Sequence, residues 1–197
     1  MKAIISGKMI GKFKMSKKDV HDLNNKYEKA KSHLEDYGKR LAGRLDSELN
    51  IIPIFEKTSA FQFITKCMET YITQSIKHQL CVPGSYNLNI LSCWINDMKS
   101  GEYNPPHTHN ETLGYSSVLF LKVPKFINDS KFSHKFKDGQ LCFINAGGRS
   151  CKYLKPKVGD FYLFEADHQH AVMPFKTKNN EIRRSMSFNF ILEPPKK

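Results

Sequence analysis

Residues 159–192 read Gly-Asp-Phe-Tyr-Leu-Phe-Glu-Ala-Asp-His-Gln-His-Ala-Val-Met-Pro-Phe-Lys-Thr-Lys-Asn-Asn-Glu-Ile-Arg-Arg-Ser-Met-Ser-Phe-Asn-Phe-Ile-Leu. Three short runs stand out: Asp160–Glu165, His170–Phe175 and Arg184–Leu192. They are apolar or alternating, and no stretch of helical spacing separates them. The same texture extends back to Pro83-Gly84, through Tyr86–Asn96, Gly114–Val123, Leu141–Ile144 and Lys152–Leu154. Gly101, Asp138-Gly139, Gly147-Gly148 and Gly159-Asp160 mark the turns. Successive strands without crossover helices predict an antiparallel sandwich or barrel.

The N-terminal part is different. Residues 1–15 alternate loosely (Ile4, Met9, Ile10, Phe13, Met15), which predicts a strand or short hairpin. Ser16 can cap a helix whose apolar residues Val20, Leu23, Tyr27, Ala30, Leu34, Tyr37 and Leu41 recur at three and four, reaching about Leu49. Gly38 and Gly43 weaken its second half and predict a break near Tyr37 to Gly43. Thr58 or Ser59 can cap a second helix through about Lys77. The whole reads as one domain over residues 1–197. Residues 1–80 supply a strand and supporting helices, and 85–192 form a mainly β core, a double-stranded β-helix (the jelly-roll, cupin-like barrel) carrying two helices. Only Pro194-Pro195-Lys196-Lys197 reads as disordered.

No run of eighteen apolar residues is present, which predicts no membrane span, and the first residues lack a signal-peptide core, which predicts a cytoplasmic protein. Five cysteines, Cys67, Cys81, Cys93, Cys142 and Cys151, show no metal-binding spacing and read as reduced, buried thiols. The net charge of +12 comes from lysines spread along the chain. It reads as a solvated basic surface, compatible with nucleic acid as a partner but not favouring it.

The chemistry-bearing residues fall in two places. Pro105-Pro106-His107-Thr108-His109 places two histidines on one face of an extended strand. His170 follows the strand Phe161–Phe164 and can close a metal site with them, and imidazole suits Fe(II). His168 competes with His170 on spacing, but the His-x-Val-x-Pro context belongs to His170, which leaves His168 exposed or supporting.

With Trp94-Ile95-Asn96, Gly101 to His109, Ser117 to Pro124, Gly139 to Phe143, Gly159 to Phe164, His170 to Pro174 and Arg183 to Asn189, the chain resembles the 2-oxoglutarate- and Fe(II)-dependent oxygenases over about Leu91 to Phe190. The resemblance is closest to the prolyl hydroxylase branch and to small oxygenases of marine phages and bacteria; a phage-encoded enzyme would work in its host's cytoplasm. It implies Fe(II), 2-oxoglutarate and O2 as cofactors, with ascorbate as an accessory reductant. It also implies hydroxylation of a substrate coupled to conversion of 2-oxoglutarate to succinate. The substrate it favours is a prolyl or other residue of a protein or peptide.

That family binds iron through His-x-Asp (or Glu) and a later histidine. Aligning the loop from Gly101 gives His107, His109 and His170, with histidine at the acidic position. A frame shifted by two gives His109, Glu111 and His170 instead. The resemblance places the distal carboxylate of 2-oxoglutarate on Arg183 and Ser185, and predicts that Arg184 points away, toward solvent or the substrate mouth. Phe120 stands where prolyl hydroxylases have a carboxylate-binding tyrosine; Asn96, Tyr103 or Ser117 could supply the missing donor, Asn96 foremost. A cupin-like metal enzyme without 2-oxoglutarate and a non-catalytic jelly-roll binding module are the competing readings.

Overall fold

The computed structural model describes residues 1–6, 8–78, 86–109, 114–127, 137–145 and 150–193. Glu111, Cys81, Pro83-Gly84, Gly147-Gly148 and the tail from Pro194 lie outside them. A hairpin, β1 (Lys2–Ser6) and β2 (Lys8–Lys14), opens the chain. Then come α1 (Lys17–Ala30), β3 (Glu48–Asn50), the one-turn α2 (Ile52–Phe55) and α3 (Ala60–His78). The remaining strands are β4 (Asn87–Met98), β5 (Asn104–His107), β6 (Gly114–Lys122), β7 (Leu141–Ile144), β8 (Cys151–Leu154), β9 (Asp160–Glu165), β10 (His170–Val172) and β11 (Arg183–Glu193).

The strands form a seven-stranded sheet, β1-β2-β9-β6-β11-β4-β3, and a four-stranded sheet, β5-β10-β7-β8, with antiparallel pairing throughout. This is the mainly β, double-stranded β-helix arrangement, although no closed barrel runs through the described residues.

Strand period two sorts the core into two layers. Leu119 and Leu121 of β6, Phe161 and Leu163 of β9, and Met186, Phe188 and Phe190 of β11 pack with Val20, Leu23 and Tyr27 of α1 and Ile64, Met68, Tyr71 and Ile72 of α3. The alternate residues, Val118, Phe120, Tyr162 and Phe164, turn to the other face and meet Leu141, Phe143, Leu154 and Val172 of the small sheet. A side chain of the large sheet is therefore covered by helices or enclosed between sheets, according to its parity.

The first helix stops at Ala30, well short of Leu49. Its N-cap is Ser16, whose hydroxyl accepts from Asp19 N–H at 3.1 Å. Beyond it the chain makes two short 3-10 turns, Lys31–His33 and Gly38–Arg40, and then pairs as a strand. Bridges Asp36↔Leu49 and Arg44↔Tyr103 tie this segment to the sheet edge. The apolar spacing at Tyr37 and Leu41 thus serves a cavity wall instead of a helix face. Cys67, Cys93 and Cys142 are buried free thiols, but Cys151 is exposed, contrary to expectation, because it opens the edge strand β8.

Arg184 also departs from its predicted place. It does point away from Arg183, but into the helix layer instead of solvent. It lies opposite Asp97 in the β11–β4 register and forms a two-pronged ion pair with it, Nε to Oδ1 at 2.5 Å and Nη2 to Oδ2 at 2.7 Å. Its guanidinium sits 4.4 Å over the Tyr27 ring and also reaches Glu28 of α1 at 2.7 Å. Arg184 therefore clamps α1 onto the sheet. Arg184→Ala strands the Asp97 carboxylate and should cost about 3–5 kcal/mol in denaturant melts, whereas replacing both residues with Met and Leu should recover most of that loss.

Candidate active site

β10 lies between β5 and β7 in the small sheet, and His170 faces His107 directly across the strand pair. Their ring centroids are 4.3 Å apart. Both predicted ligands thus come from one sheet, as neighbours. His109 lies two residues past the end of β5, where its backbone N–H donates to Ala166 O at 2.9 Å. Its ring centroid is 5.3 Å from that of His107 and 5.2 Å from that of His170. One ring nitrogen from each of the three lies within 4.8 Å of the others, making the one group of three metal-ligating side chains among the described residues.

Each ring is oriented from behind. His107 Nδ1 is 2.7 Å from Pro105 O, and His170 Nδ1 is 2.9 Å from His168 O. A carbonyl only accepts, so these nitrogens carry the proton and both Nε2 lone pairs face the cluster. His109 Nδ1 contacts the Asn189 amide at 3.3 Å. An asparagine can present either amide atom; with Oδ1 toward the ring, His109 Nδ1–H donates and its Nε2 becomes the third ligand atom. Burial lowers the proton affinity of all three rings, with mutual repulsion adding to the effect at His109 and His170; His109 is brought down to about 4. At neutral pH the cluster offers three uncharged imidazole donors. Glu111, the carboxylate of the shifted frame, lies outside the described residues.

His168 is neither exposed nor a ligand in this cluster. It is buried, with its ring 4.9 Å from that of Phe143, and its carbonyl is what orients His170.

Across from the histidines, β11 turns Arg183, Ser185, Ser187 and Asn189 inward by strand parity, while β4 contributes Ser92, Trp94 and Asn96 in register. Arg183 is fully buried, with its guanidinium carbon 4.8 Å over the Phe120 ring. Its Nη1 reaches Ser185 Oγ at 3.5 Å, but Nε and Nη2 have no partner and no carboxylate pairs with it among the described residues. Burial without a counter-ion pushes its pKa down to about 9, still protonated at neutral pH. Asn96 is buried with Oδ1 unpartnered. Of the other candidates for the missing tyrosine hydroxyl, Ser117 is committed to the Phe188 backbone, donating to its O at 3.2 Å and accepting from its N at 3.0 Å. Tyr103 is 40% exposed.

Two spaces meet at the histidines. A narrow recess of about 20 Å³ is lined by His170, Asn96, Ser117, Val118 and Ser185, the last being the residue that Arg183 Nη1 reaches. A cavity of about 320 Å³ opens on the other side of His107 and His109 and is walled by Tyr37, Arg40, Glu48, Trp94, Asn104 and Asn189. Asn189 was legible in principle, since it shares strand parity with Arg183 and Ser185. Glu48 and Tyr37 carried no such signal, because Glu48 reaches the cavity through the β3–β4 pairing and Tyr37 through its backbone N–H, which donates to Glu48 O at 2.7 Å.

Residues 92–189, from the middle of β4 to the inward face of β11, match the family described as "Putative 2OG-Fe(II) oxygenase". Solved structures align over nearly the whole chain. The Pseudomonas putida prolyl-4-hydroxylase superposes with TM-score 0.61 at 15% identity, covering 94% of this chain and 92% of its own. The Trichoplax adhaerens prolyl hydroxylase, in complex with a hypoxia inducible factor oxygen degradation domain peptide fragment, gives 0.61 at 14%, covering 92% and 83%. HygX of Streptomyces hygroscopicus, with nickel, 2-oxoglutarate and hygromycin B bound, gives 0.56 at 11%, covering 93% and 82%. At these identities the likeness is one of fold. No curated protein sequence matches. The chain belongs to the 2-oxoglutarate- and Fe(II)-dependent oxygenases. Its cofactors are Fe(II), 2-oxoglutarate and O2.

If the three histidines bind the metal, His170→Ala should abolish stoichiometric uptake of Fe(II) or Mn(II), measured by elemental analysis; full retention would remove His170 from the site. Asn189→Leu should weaken metal binding by about 10- to 100-fold through loss of ring orientation. His107→Ala and Glu111→Ala, compared by metal content, should separate the two frames, and loss confined to the glutamate variant would refute the three-histidine set.

Proposed function

We propose that this oxygenase hydroxylates a residue of a peptide or protein, a prolyl residue foremost, holding Fe(II) on His107, His109 and His170 and the distal carboxylate of 2-oxoglutarate on Arg183, Ser185 and Asn96. The observation that carries this reading is Arg183: a wholly buried guanidinium with two nitrogen donors unpartnered and no counter-ion among the described residues. Such a group calls for an anion, and its fork matches a carboxylate. The peptide-bound Trichoplax adhaerens enzyme supports a polypeptide substrate.

Iron with 2-oxoglutarate, when bound, supplies the oxidative chemistry that couples decarboxylation of the keto acid to hydroxylation of a C–H bond. The protein's part is to bind, orient and keep dry. His107 on β5, His109 just beyond it and His170 on β10 would hold the metal through three imidazoles, which leaves room for the cosubstrate and oxygen as ligands. The recess toward Ser185 is narrow, and a five-carbon diacid reaching from the histidines would have to widen it. Phe120 presents its π-face to Arg183, so the position that lacks a hydroxyl still holds the guanidinium in place. Trp94, 6.1 Å from His109 and 5.9 Å from Tyr37, forms an apolar wall against which a substrate side chain can be held. In this reading residues 1–80 support the 85–192 core within a single domain. No helix among the described residues is long and apolar enough to cross a membrane.

A cupin-like enzyme without 2-oxoglutarate, or a structural ion site, leaves the buried charge of Arg183 without a role. Arg183→Ala should raise the 2-oxoglutarate concentration needed for succinate release by roughly thirty- to a hundredfold, the value of about 2–3 kcal/mol for hydrogen bonds to a charged group. An unchanged requirement in a folded variant would place the carboxylate elsewhere.

A further inference from the structure

We infer that Glu48 and Asn104 form a subsite for a basic, lysine-like side chain of the substrate, within the cavity that opens onto His107 and His109. That the bound molecule is a substrate rests on the oxygenase reading; that the subsite takes a cation rests on the following geometry.

Glu48 lies on β3, the edge strand of the large sheet, and is 2% exposed. Its Oε1 is buried with no hydrogen-bond partner, and so is Asn104 Oδ1 on β5. The two oxygens converge on the bare Cα of Gly43: a Cβ there would lie 2.6 Å from the first and 2.9 Å from the second. Both residues line the same cavity of about 320 Å³ as His107, His109, Trp94 and Tyr37. Two buried acceptors converging beside an open cavity, with no donor of the protein supplied to either, call for a donor from the ligand.

The surrounding charge specifies a cation. Burial, and after it the negative potential of Asp36 and Glu102, pushes the Glu48 carboxyl up to about 7, so the group alone is partly protonated and an ammonium beside it would favour the charged form. Those two neighbours are themselves satisfied. Asp36 Oδ1 accepts from Gly38 N–H at 2.9 Å, and Glu102 accepts from Asp46 N–H at 3.0 Å and from Lys99 N–H at 2.6 Å. Glu48 forms no ion pair among the described residues, in a chain of net charge +12. An ammonium would satisfy both orphan oxygens and offset the buried charge, while its methylene stem lies along the Trp94–Tyr37 wall. Arg40 stacks on Tyr37 at 5.3 Å, but it is exposed at the rim, where water screens its repulsion. A metal is the weaker occupant, because Glu48 belongs to no group of three ligating side chains.

The test is a calorimetric titration of the full chain, loaded with Mn(II) and 2-oxoglutarate, with n-butylammonium chloride and separately with 1-butanol. The ammonium should bind about tenfold more tightly than the alcohol, as expected for charge-assisted hydrogen bonds. Glu48→Gln should bring the two ligands level, and Asn104→Ala should reduce the preference in part. Equal binding in the wild type, a preference that survives Glu48→Gln, or displacement of the ammonium by Ca(II) would overturn the assignment. No binding of the ammonium to the loaded wild type would overturn it as well, leaving Glu48 and Asn104 as a closed pair that takes no ligand. Mn(II) and 2-oxoglutarate uptake in the same samples reports separately on the oxygenase reading, so its failure and that of the cation subsite are told apart.

Discussion

A guanidinium sealed between two β-sheets, with no carboxylate paired to it among the described residues, is the constraint from which the rest of this molecule follows. Burying an isolated charge is costly, and proteins retain one where a ligand completes it. Arg183 is held in that position by the pairing of β11 with β4 and β6, by the Phe120 ring below it, and by strand parity, which sends Arg184 to the opposite face. The two adjacent arginines illustrate the point. Arg184 is fully paired with Asp97 and Glu28 and fastens a helix, whereas Arg183 has Ser185 and two unpartnered nitrogens. One is a structural clamp; the other is a socket.

The proposed metal site shares this electrostatic character. Three imidazoles bring no charge, so an Fe(II) ion held by them would keep its full positive charge, and Arg183 adds another. A site with a carboxylate ligand would neutralise part of that. In the proposed arrangement the counter-charge comes from the cosubstrate, a dianion whose two ends would meet the two cationic centres. Metal and 2-oxoglutarate binding would then reinforce each other, which is how histidine at position 109 would be compatible with the family's chemistry.

Much of this was readable from residue order. Alternation in Asp160–Glu165 and Arg184–Leu192 located the strands, and His170 was marked by its own context. Arg183 and Ser185 came from the resemblance to the oxygenase family. What was not readable depended on pairing between distant segments. The helical spacing of Leu34, Tyr37 and Leu41 was overridden because residues 31–47 fold back on the sheet edge and carry Tyr37 and Glu48 to the cavity. His168, read as exposed or supporting, takes the supporting place: its ring is packed on Phe143 and its carbonyl orients His170. Arg184 looked exposed because nothing in the local sequence announces Asp97, eighty-seven positions earlier, as its partner.

The most direct test of the central claim is optical. Fe(II) and then 2-oxoglutarate are added to the protein without oxygen, and the visible spectrum is recorded. A keto acid chelated to Fe(II) on the three histidines should produce a metal-to-ligand charge-transfer band that saturates at one 2-oxoglutarate per iron. Absence of the band with iron stoichiometrically bound would contradict the account.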